Sequence, residues 1–250
     1  MIRLEVQEGV AIITIDRADK ANALPEAGKR ELADTIVGAG QRPDVAALVL
    51  TGDGDRCFCA GSDVAEMQSF DPEAMYRMLG AERGMYLAAL SSPKPVVAAV
   101  NGFALGAGFI LVMACDYAVA AAVARFGTPE LTIGVAAPLE GFLLPWIVGL
   151  GHARRLFYTG RQLDAVEAQG LGLVHEITEP ERCLRRAVEV ARGIASLPGT
   201  SFRVQKALLR QLVLTGHLES VIEASRYATS LQFADRATAD ALGRSLSRRR

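Results

Sequence analysis

The chain has 250 residues, half of them apolar, and a formal net charge of −1. This length accommodates one large domain or two small ones, with room for a buried core. The near-neutral charge argues against a general nucleic-acid binder, which normally presents a basic face. The apolar stretch at 95–124 is rich in glycine and alanine and is interrupted by Asn101 and Asp116, so it predicts a buried strand and helix rather than a membrane span.

Four cysteines, Cys57, Cys59, Cys115 and Cys183, show no spacing typical of a zinc site. The N-terminal sequence has no signal-peptide pattern. We therefore expect free thiols in a reducing compartment and a cytoplasmic protein.

Strands and helices alternate through roughly the first 130 residues. The hydrophobic periods predict, in order, a hairpin of two strands, a helix, a buried strand, a helix broken at Asp71 and Pro72, another buried strand, another helix, and a last strand and turn. The corresponding segments are 2–9, 10–17, 24–41, 45–54, 65–92, 93–102, 106–115 and 116–130. This alternation predicts an α/β core with parallel strands.

From Glu140 onward the periodicity is almost wholly helical, and neither a linker nor a repeat separates this part from the rest. We predict one α/β domain with a helical extension, the core at 1–190 and the C-terminal helical region at 191–250.

Two similar junctions are the candidate chemical features. "AGSD" at 60–63 and "LGAG" at 105–108 each follow a predicted strand and open a helix, where backbone N–H groups lack helical partners. Two such helix starts that converge would form an oxyanion hole, whereas separate ones would be ordinary helix caps. The chain has no dinucleotide fingerprint, P-loop or nucleophile elbow.

Five segments, taken in order, closely resemble the crotonase superfamily, the enoyl-CoA hydratase/isomerase family. They are "DRADKANAL", "CFCAGSDVAEM", "PVVAAVNGFALGAG", "CDYAVAAAVARFGTPELTIGVAAP" and "GLVHEI". The resemblance implies a spiral of stacked ββα/βαβ units with a helical C-terminal region that makes trimers. A homotrimer, or a homohexamer built as a dimer of trimers, is the implied assembly.

The resemblance also implies roles for residues. Members of this family hold the carbonyl of an acyl-CoA thioester between two backbone N–H donors, and the matching positions are Ser62 and Ala107. The coenzyme A thioester is then the substrate, and no separate cofactor or metal is implied. Glu130, in "FGTPE", matches a catalytic glutamate of the family. The implied substrate-binding residues are Ala21, Ala23, Ala60, Ser62, Asp63, Val64, Gly106, Ala107, Ile110, Pro138 and Glu140.

One position departs from the pattern of the family's hydratases, which use two glutamates. Ile110 stands three residues beyond Ala107, where those enzymes carry the first of the two. A single carboxylate suits an isomerase that moves a double bond from carbon 3 to carbon 2, because one base can take and return the proton, and this pattern resembles the Δ3,Δ2-enoyl-CoA isomerases. We therefore expect an enoyl-CoA isomerase in which Glu130 is both base and acid. We expect burial beside Ile110 to raise the pKa of Glu130.

The sequence leaves alternatives open. A hydratase could use Glu130 with or without Glu140, and a family member that only binds acyl-CoA belongs to another class. Glu130 could instead be an exposed acid that caps the helix after Pro129, and Glu140 a turn residue facing solvent.

Overall fold

The computed structural model describes residues 1–137, 140–214, 226–227, 229–231, 233, 240 and 243–244, with the backbone alone for 140–142 and 211–214. The described strands are β1 (Ile2–Gln7), β2 (Val10–Ile15), β3 (Ala47–Gly52), β4 (Cys57–Cys59), β5 (Val96–Val100), β6 (Phe103–Leu105), β7 (Tyr117–Ala121), β8 (Arg125–Gly127), β9 (Leu163–Asp164) and β10 (Glu176–Thr178). The described α-helices are α1 (Glu26–Gln41), α2 (Val64–Met67), α3 (Pro72–Ser91), α4 (Ala107–Ala114), α5 (Glu140–Thr159), α6 (Ala165–Gly170), α7 (Cys183–Ala195) and α8 (Gly199–Leu214).

A six-stranded sheet forms the centre of the molecule, in the order β1-β2-β3-β5-β7-β10. β1 and β2 are the predicted antiparallel hairpin, and the other neighbouring strands run parallel. The hairpin turns at Glu8 and Gly9, which both have positive φ. The predicted α/β core with parallel strands is confirmed.

The two faces of this sheet are covered by different helices, because alternate residues of a strand point to opposite sides. Val10 and Ile12 belong to a core cluster with α7. Ala11, Ile13 and Ile15 belong to the larger cluster that includes α1, α3 and α4.

A second sheet of four short strands, β4-β6-β8-β9, lies beside the first. β4, β6 and β8 run parallel to one another and each follows a strand of the main sheet, β3, β5 or β7. The chain thus repeats a unit in which a long strand, a short strand and a helical segment follow in turn. This repeat brings the ends of the short strands together at one edge.

The expectation of an almost wholly helical C-terminal part is wrong in two places. β9 pairs antiparallel with β8, and β10 adds a parallel edge strand to β7. Both are at most three residues long, which is too short for a periodic signal, and pairing with strands distant in sequence forms them.

The only described link from α8 to the body that is both buried and charged is Lys206. Its Nζ donates to Asp116 Oδ2 at 2.6 Å and to the Ala89 carbonyl at 3.1 Å. Asp116 also accepts from the Val96 backbone N–H at 2.8 Å, as expected for an acid at the start of a strand. The structure describes the region 191–250 only in part, so the predicted trimerisation role of that region stays a prediction.

The cysteines are unpaired, as predicted; Cys57, Cys59 and Cys183 are buried and Cys115 is half-buried. Burial raises the pKa of Cys59 to about 11 and of Cys57 to about 12, which keeps both thiols protonated. Among the described helices, none is long and apolar enough to cross a membrane.

The loop between β2 and α1 is fixed by Asn22, which is completely buried and has a φ of +55°. Its Nδ2 donates to the carbonyls of Cys57 at 2.6 Å and Asp53 at 3.0 Å, and its Oδ1 accepts from the Arg17 N–H at 3.0 Å. One side chain therefore joins this loop to the turn between β3 and β4.

We expect Asn22→Ala to lower the free energy of unfolding by about 2–3 kcal/mol, because buried carbonyls lose their donor and alanine disfavours positive φ. Chemical denaturation would measure the change. Lys20→Ala, on the exposed side of the same loop, is the control and should change stability little. Equal stability of both variants would show that Asn22 does not hold the loop.

Candidate active site

The two predicted helix starts meet in the structure. β4 and β6 are parallel neighbours, and the chain passes from each of them into a helix, α2 or α4. Gly61 has a φ of +94°, and a Cβ placed there would lie 2.8 Å from the Leu105 carbonyl oxygen and 3.4 Å from the Ala107 nitrogen. A side chain at position 61 would separate the junctions, so glycine is needed for their contact.

Ser62 and Ala107 each bring a backbone N–H to the meeting point. Ala107 is the first residue of α4, after Gly106 with φ 51° and ψ −124°. Among the described residues, no group accepts a hydrogen bond from the Ser62 or Ala107 backbone N–H. Two N–H donors at neighbouring helix starts can stabilise an oxygen that gains negative charge.

Glu130 lies at the same point. It follows β8 at the start of a short 3₁₀ turn, and its Oε1 is so close to Gly106 that a Cβ there would lie 2.2 Å away. The residue as a whole is half-buried, but Oε2 is fully enclosed and accepts no hydrogen bond from a described residue. The alternative of an exposed capping acid is therefore wrong.

Burial raises the pKa of the Glu130 carboxyl to about 8. The negative charge of Glu82 acts in the same direction, while the residue's own backbone N–H and the Lys29 ammonium oppose it. A carboxyl of this kind is largely protonated at neutral pH and can donate a proton.

A cavity of about 60 Å³ opens beside these groups. Ser62, Gly106, Ala107 and Glu130 line one side of it. The other walls are mostly apolar: Val64, Met67, Met75, Met78, Leu79, Ile133 and Val135. An apolar group next to the N–H donors would be held away from water.

A buried charged cluster in the same wall was missed from the sequence. Lys29 on α1 is completely buried and forms an ion pair with Glu82 on α3, which is 4% exposed. Lys29 Nζ also donates to Ser62 Oγ at 2.6 Å, and Ser62 Oγ in turn donates to Glu82 Oε2 at 3.0 Å. Glu82 lines the cavity, so a carboxylate that the sequence analysis did not single out lies in the same wall as Glu130.

A wider cavity of about 530 Å³ lies on the other side of Ala60, which lines both. Ala21, Asn22, Arg56 and Phe103 are among its walls. Ala60 thus lies between the two cavities, and Ala21 lines the wider one.

The other predicted site residues are placed differently. Asp63 caps α2 by accepting from the Ala65 N–H at 3.0 Å and pairs with Arg17 at 2.7 Å. Ile110 is completely buried in α4 and is not among the residues that line either cavity. The Ala23 carbonyl accepts from the Arg17 guanidinium at 2.8 Å.

Pro138 and the side chain of Glu140 lie outside the described residues. Within the described part of the chain, no group of three or more His, Cys, Asp or Glu side chains is placed to hold a metal ion.

Known proteins resemble this chain over most of its length. A family model described as enoyl-CoA hydratase/isomerase matches residues 5–238. A crotonyl-CoA hydratase from Syntrophomonas wolfei is 37% identical over 207 residues, 82% of this chain and 80% of the relative. A probable enoyl-CoA hydratase from Rhizobium meliloti is 39% identical over 215 residues, 85% of this chain and 82% of the relative.

Solved structures show the same fold. An enoyl-CoA hydratase/isomerase from Mycobacterium paratuberculosis matches with a TM-score of 0.89 and 27% identity, covering 97% of each chain. An enoyl-CoA hydratase from Bacillus anthracis matches with a TM-score of 0.81 and 30% identity, covering 94% of this chain and 93% of the other. The crotonase-like spiral that the sequence predicted is confirmed.

The buried Glu130 carboxyl should make stability depend on pH. Between its ordinary value of 4.5 and about 8 the folded state binds more protons than the unfolded state, so the free energy of unfolding falls as the pH rises. We expect the wild type to lose a few kcal/mol relative to Glu130→Gln between pH 5 and pH 8, because glutamine does not ionise. Denaturant titrations at both pH values would measure this difference, and parallel pH dependence of the two proteins would contradict it.

Proposed function

Because the chain belongs to the enoyl-CoA hydratase/isomerase family, we propose that it is a hydratase that adds water across the 2,3 double bond of an enoyl-CoA thioester. The observation that carries the proposal is Glu130, a carboxyl whose pKa is raised to about 8 at the meeting point of two helix starts. Such a group is an acid ready to protonate carbon 2.

In this proposal the thioester carbonyl accepts hydrogen bonds from the backbone N–H groups of Ser62 and Ala107. Water attack at carbon 3 pushes negative charge onto that oxygen, and each fixed donor lowers the barrier by roughly 3–4 kcal/mol. The acyl group occupies the apolar cavity, and coenzyme A extends past Ala60 and Ala21 along the wider one. The substrate is the coenzyme A thioester, with no separate cofactor in the reaction.

The protonation of Glu130 favours hydration over isomerisation. Hydration needs a proton donor at carbon 2, whereas an isomerase must begin with a base that removes a proton from carbon 2. A carboxyl with a pKa of about 8 is mostly in the donor form at pH 7. The relatives from Syntrophomonas wolfei and Rhizobium meliloti are named as hydratases, which also supports hydration.

The isomerase preference depended on a site with one carboxylate. Ile110 does stand at the position expected for an acid, but Glu82 supplies a second carboxylate to the cavity from α3. The reason for preferring the isomerase is thereby removed. The homotrimeric or homohexameric assembly and the cytoplasmic location stay predictions, and sedimentation would test the first.

We expect kcat/KM for hydration of crotonyl-CoA to fall above about pH 8, as Glu130 loses the proton that it must donate. The loss should approach tenfold per pH unit on the alkaline side. Retained activity at pH 7 after incubation at each higher pH is the control for unfolding. A rate that rises through pH 8 would indicate that Glu130 works as a base and would overturn the proposal.

Glu130→Gln should lower kcat/KM for hydration by about 10²–10⁴-fold, the usual contribution of a positioned acid or base. The assay follows the loss of the conjugated thioester of crotonyl-CoA, with a 3-enoyl-CoA assayed in parallel for isomerisation. Rapid isomerisation without hydration by the wild type would reject the hydratase. A fully active Glu130→Gln protein with a native melting temperature would reject the assignment of the acid.

A further inference from the structure

Glu82 occupies a place that a charged side chain rarely takes. It lies on the buried face of α3, in line with Met75, Met78, Met85 and Tyr86, and is 4% exposed. The described hydrogen bonds to its carboxylate, from Lys29 and Ser62, both end on Oε2. Oε1 receives no hydrogen bond from a described residue, and the side chain lines the small cavity.

The stability of the fold does not explain why the ion pair of Lys29 and Glu82 is buried. Removing two charges from water costs free energy, and replacing a buried ion pair with apolar side chains of similar volume is often neutral or stabilising. Lys29 and Glu82 come from helices that otherwise pack through apolar residues. A buried carboxylate that lines a cavity and has one oxygen without a described hydrogen bond is better explained by a task at that cavity.

Glu82 and Glu130 share the cavity from different elements. Glu82 comes from α3 and Glu130 from the turn after β8. The charge of Glu82 contributes to raising the pKa of Glu130, so the two carboxyls lie within electrostatic reach of each other. The cavity of about 60 Å³ has room for a water, which occupies about 10–15 Å³ on the same measure.

We propose that Glu82 is the second catalytic carboxylate of this enzyme, which holds the attacking water and takes its proton, and that Lys29 is the residue that positions it. The proposal rests on the hydratase function above. It places the second acid on α3, tied through Ser62 to one of the two oxyanion junctions, while position 110 on α4 carries isoleucine.

The atoms balance in one addition. Glu82 accepts a proton from water as the water oxygen bonds to carbon 3, and the electrons of the 2,3 double bond move toward the thioester oxygen held by Ser62 and Ala107. As the carbonyl re-forms, Glu130 donates its proton to carbon 2. The product gains the elements of one water, and proton transfer from Glu82 back to Glu130 through solvent restores both groups.

Ser62 joins the two parts of the site. Its backbone N–H is one of the two donors proposed for the carbonyl, and its hydroxyl donates to Glu82 Oε2 at 3.0 Å. Lys29 contacts the same hydroxyl and the same carboxylate oxygen, which holds Oε2 and leaves Oε1 without a hydrogen bond from a described residue. The ammonium therefore acts through Glu82 and need not touch the substrate.

The test compares two reactions of each variant. Hydration of crotonyl-CoA needs both carboxyls, whereas exchange of the carbon 2 protons of butyryl-CoA with D₂O needs only Glu130 and the N–H donors. We expect Glu82→Gln to lower hydration by about 10²-fold or more. Exchange should stay within about threefold of the wild type, since a water base takes no part in it.

Two further variants keep the test decisive. The double variant Lys29→Met/Glu82→Gln removes both charges with little change in volume. It replaces the single variant if an unpaired, buried Lys29 prevents Glu82→Gln from folding. It should show the same loss of hydration and the same retained exchange. Glu73→Gln is the matched control, because Glu73 is an exposed acid on the same helix whose partner is Arg77, and both activities should be unchanged.

Each outcome separates the two proposals. A folded double variant that hydrates as fast as the wild type would overturn the role of Glu82 and leave the hydratase proposal standing. Equal loss of hydration and exchange would show that Glu82 only maintains the site, which also overturns the role. A wild type that does not hydrate enoyl thioesters at all would reject the hydratase function and, with it, this inference.

Discussion

The close contact of two helix starts is the constraint on which the site depends. A Cβ at Gly108 would lie 2.2 Å from the Cys59 carbonyl oxygen, and one at Gly61 would lie 2.8 Å from that of Leu105. Only a backbone without side chains at these points lets α4 begin against the end of β4. The two junctions meet because the parallel pairing of β4 and β6 fixes where the chain leaves both strands.

Much of the architecture could be predicted because it comes from local patterns. The β1–β2 hairpin, α1, α3 and the buried strands of the main sheet follow from hydrophobic period, and the junctions at 60–63 and 105–108 from their glycines and their resemblance to a family. The short strands could not be predicted. β4, β6 and β10 have three residues each, and they form only because distant segments pair with them.

The buried ion pair of Lys29 and Glu82 was not predicted from the sequence for a different reason. The positions Met75, Met78, Glu82 and Met85 keep a helical apolar spacing into which a glutamate does not fit, so the signal was present in the sequence of α3. The sequence does not show why a glutamate stands there, since its partner Lys29 is 53 residues away on another helix. A charge on an amphipathic helix faces solvent by default, and only the packing of α1 against α3 reveals that this one does not.

One helix supplies both the acyl wall and the buried carboxylate. Met78 lines the cavity, and its sulfur lies 2.8 Å from Lys29 Nζ and 4.0 Å from Ser62 Oγ. A smaller residue there, admitting a longer or branched acyl chain, would also loosen the contacts around the ion pair. Evolution or engineering of chain-length preference at this helix therefore cannot proceed independently of its acid–base chemistry, and changes in substrate range should bring compensating changes at positions 29 and 62.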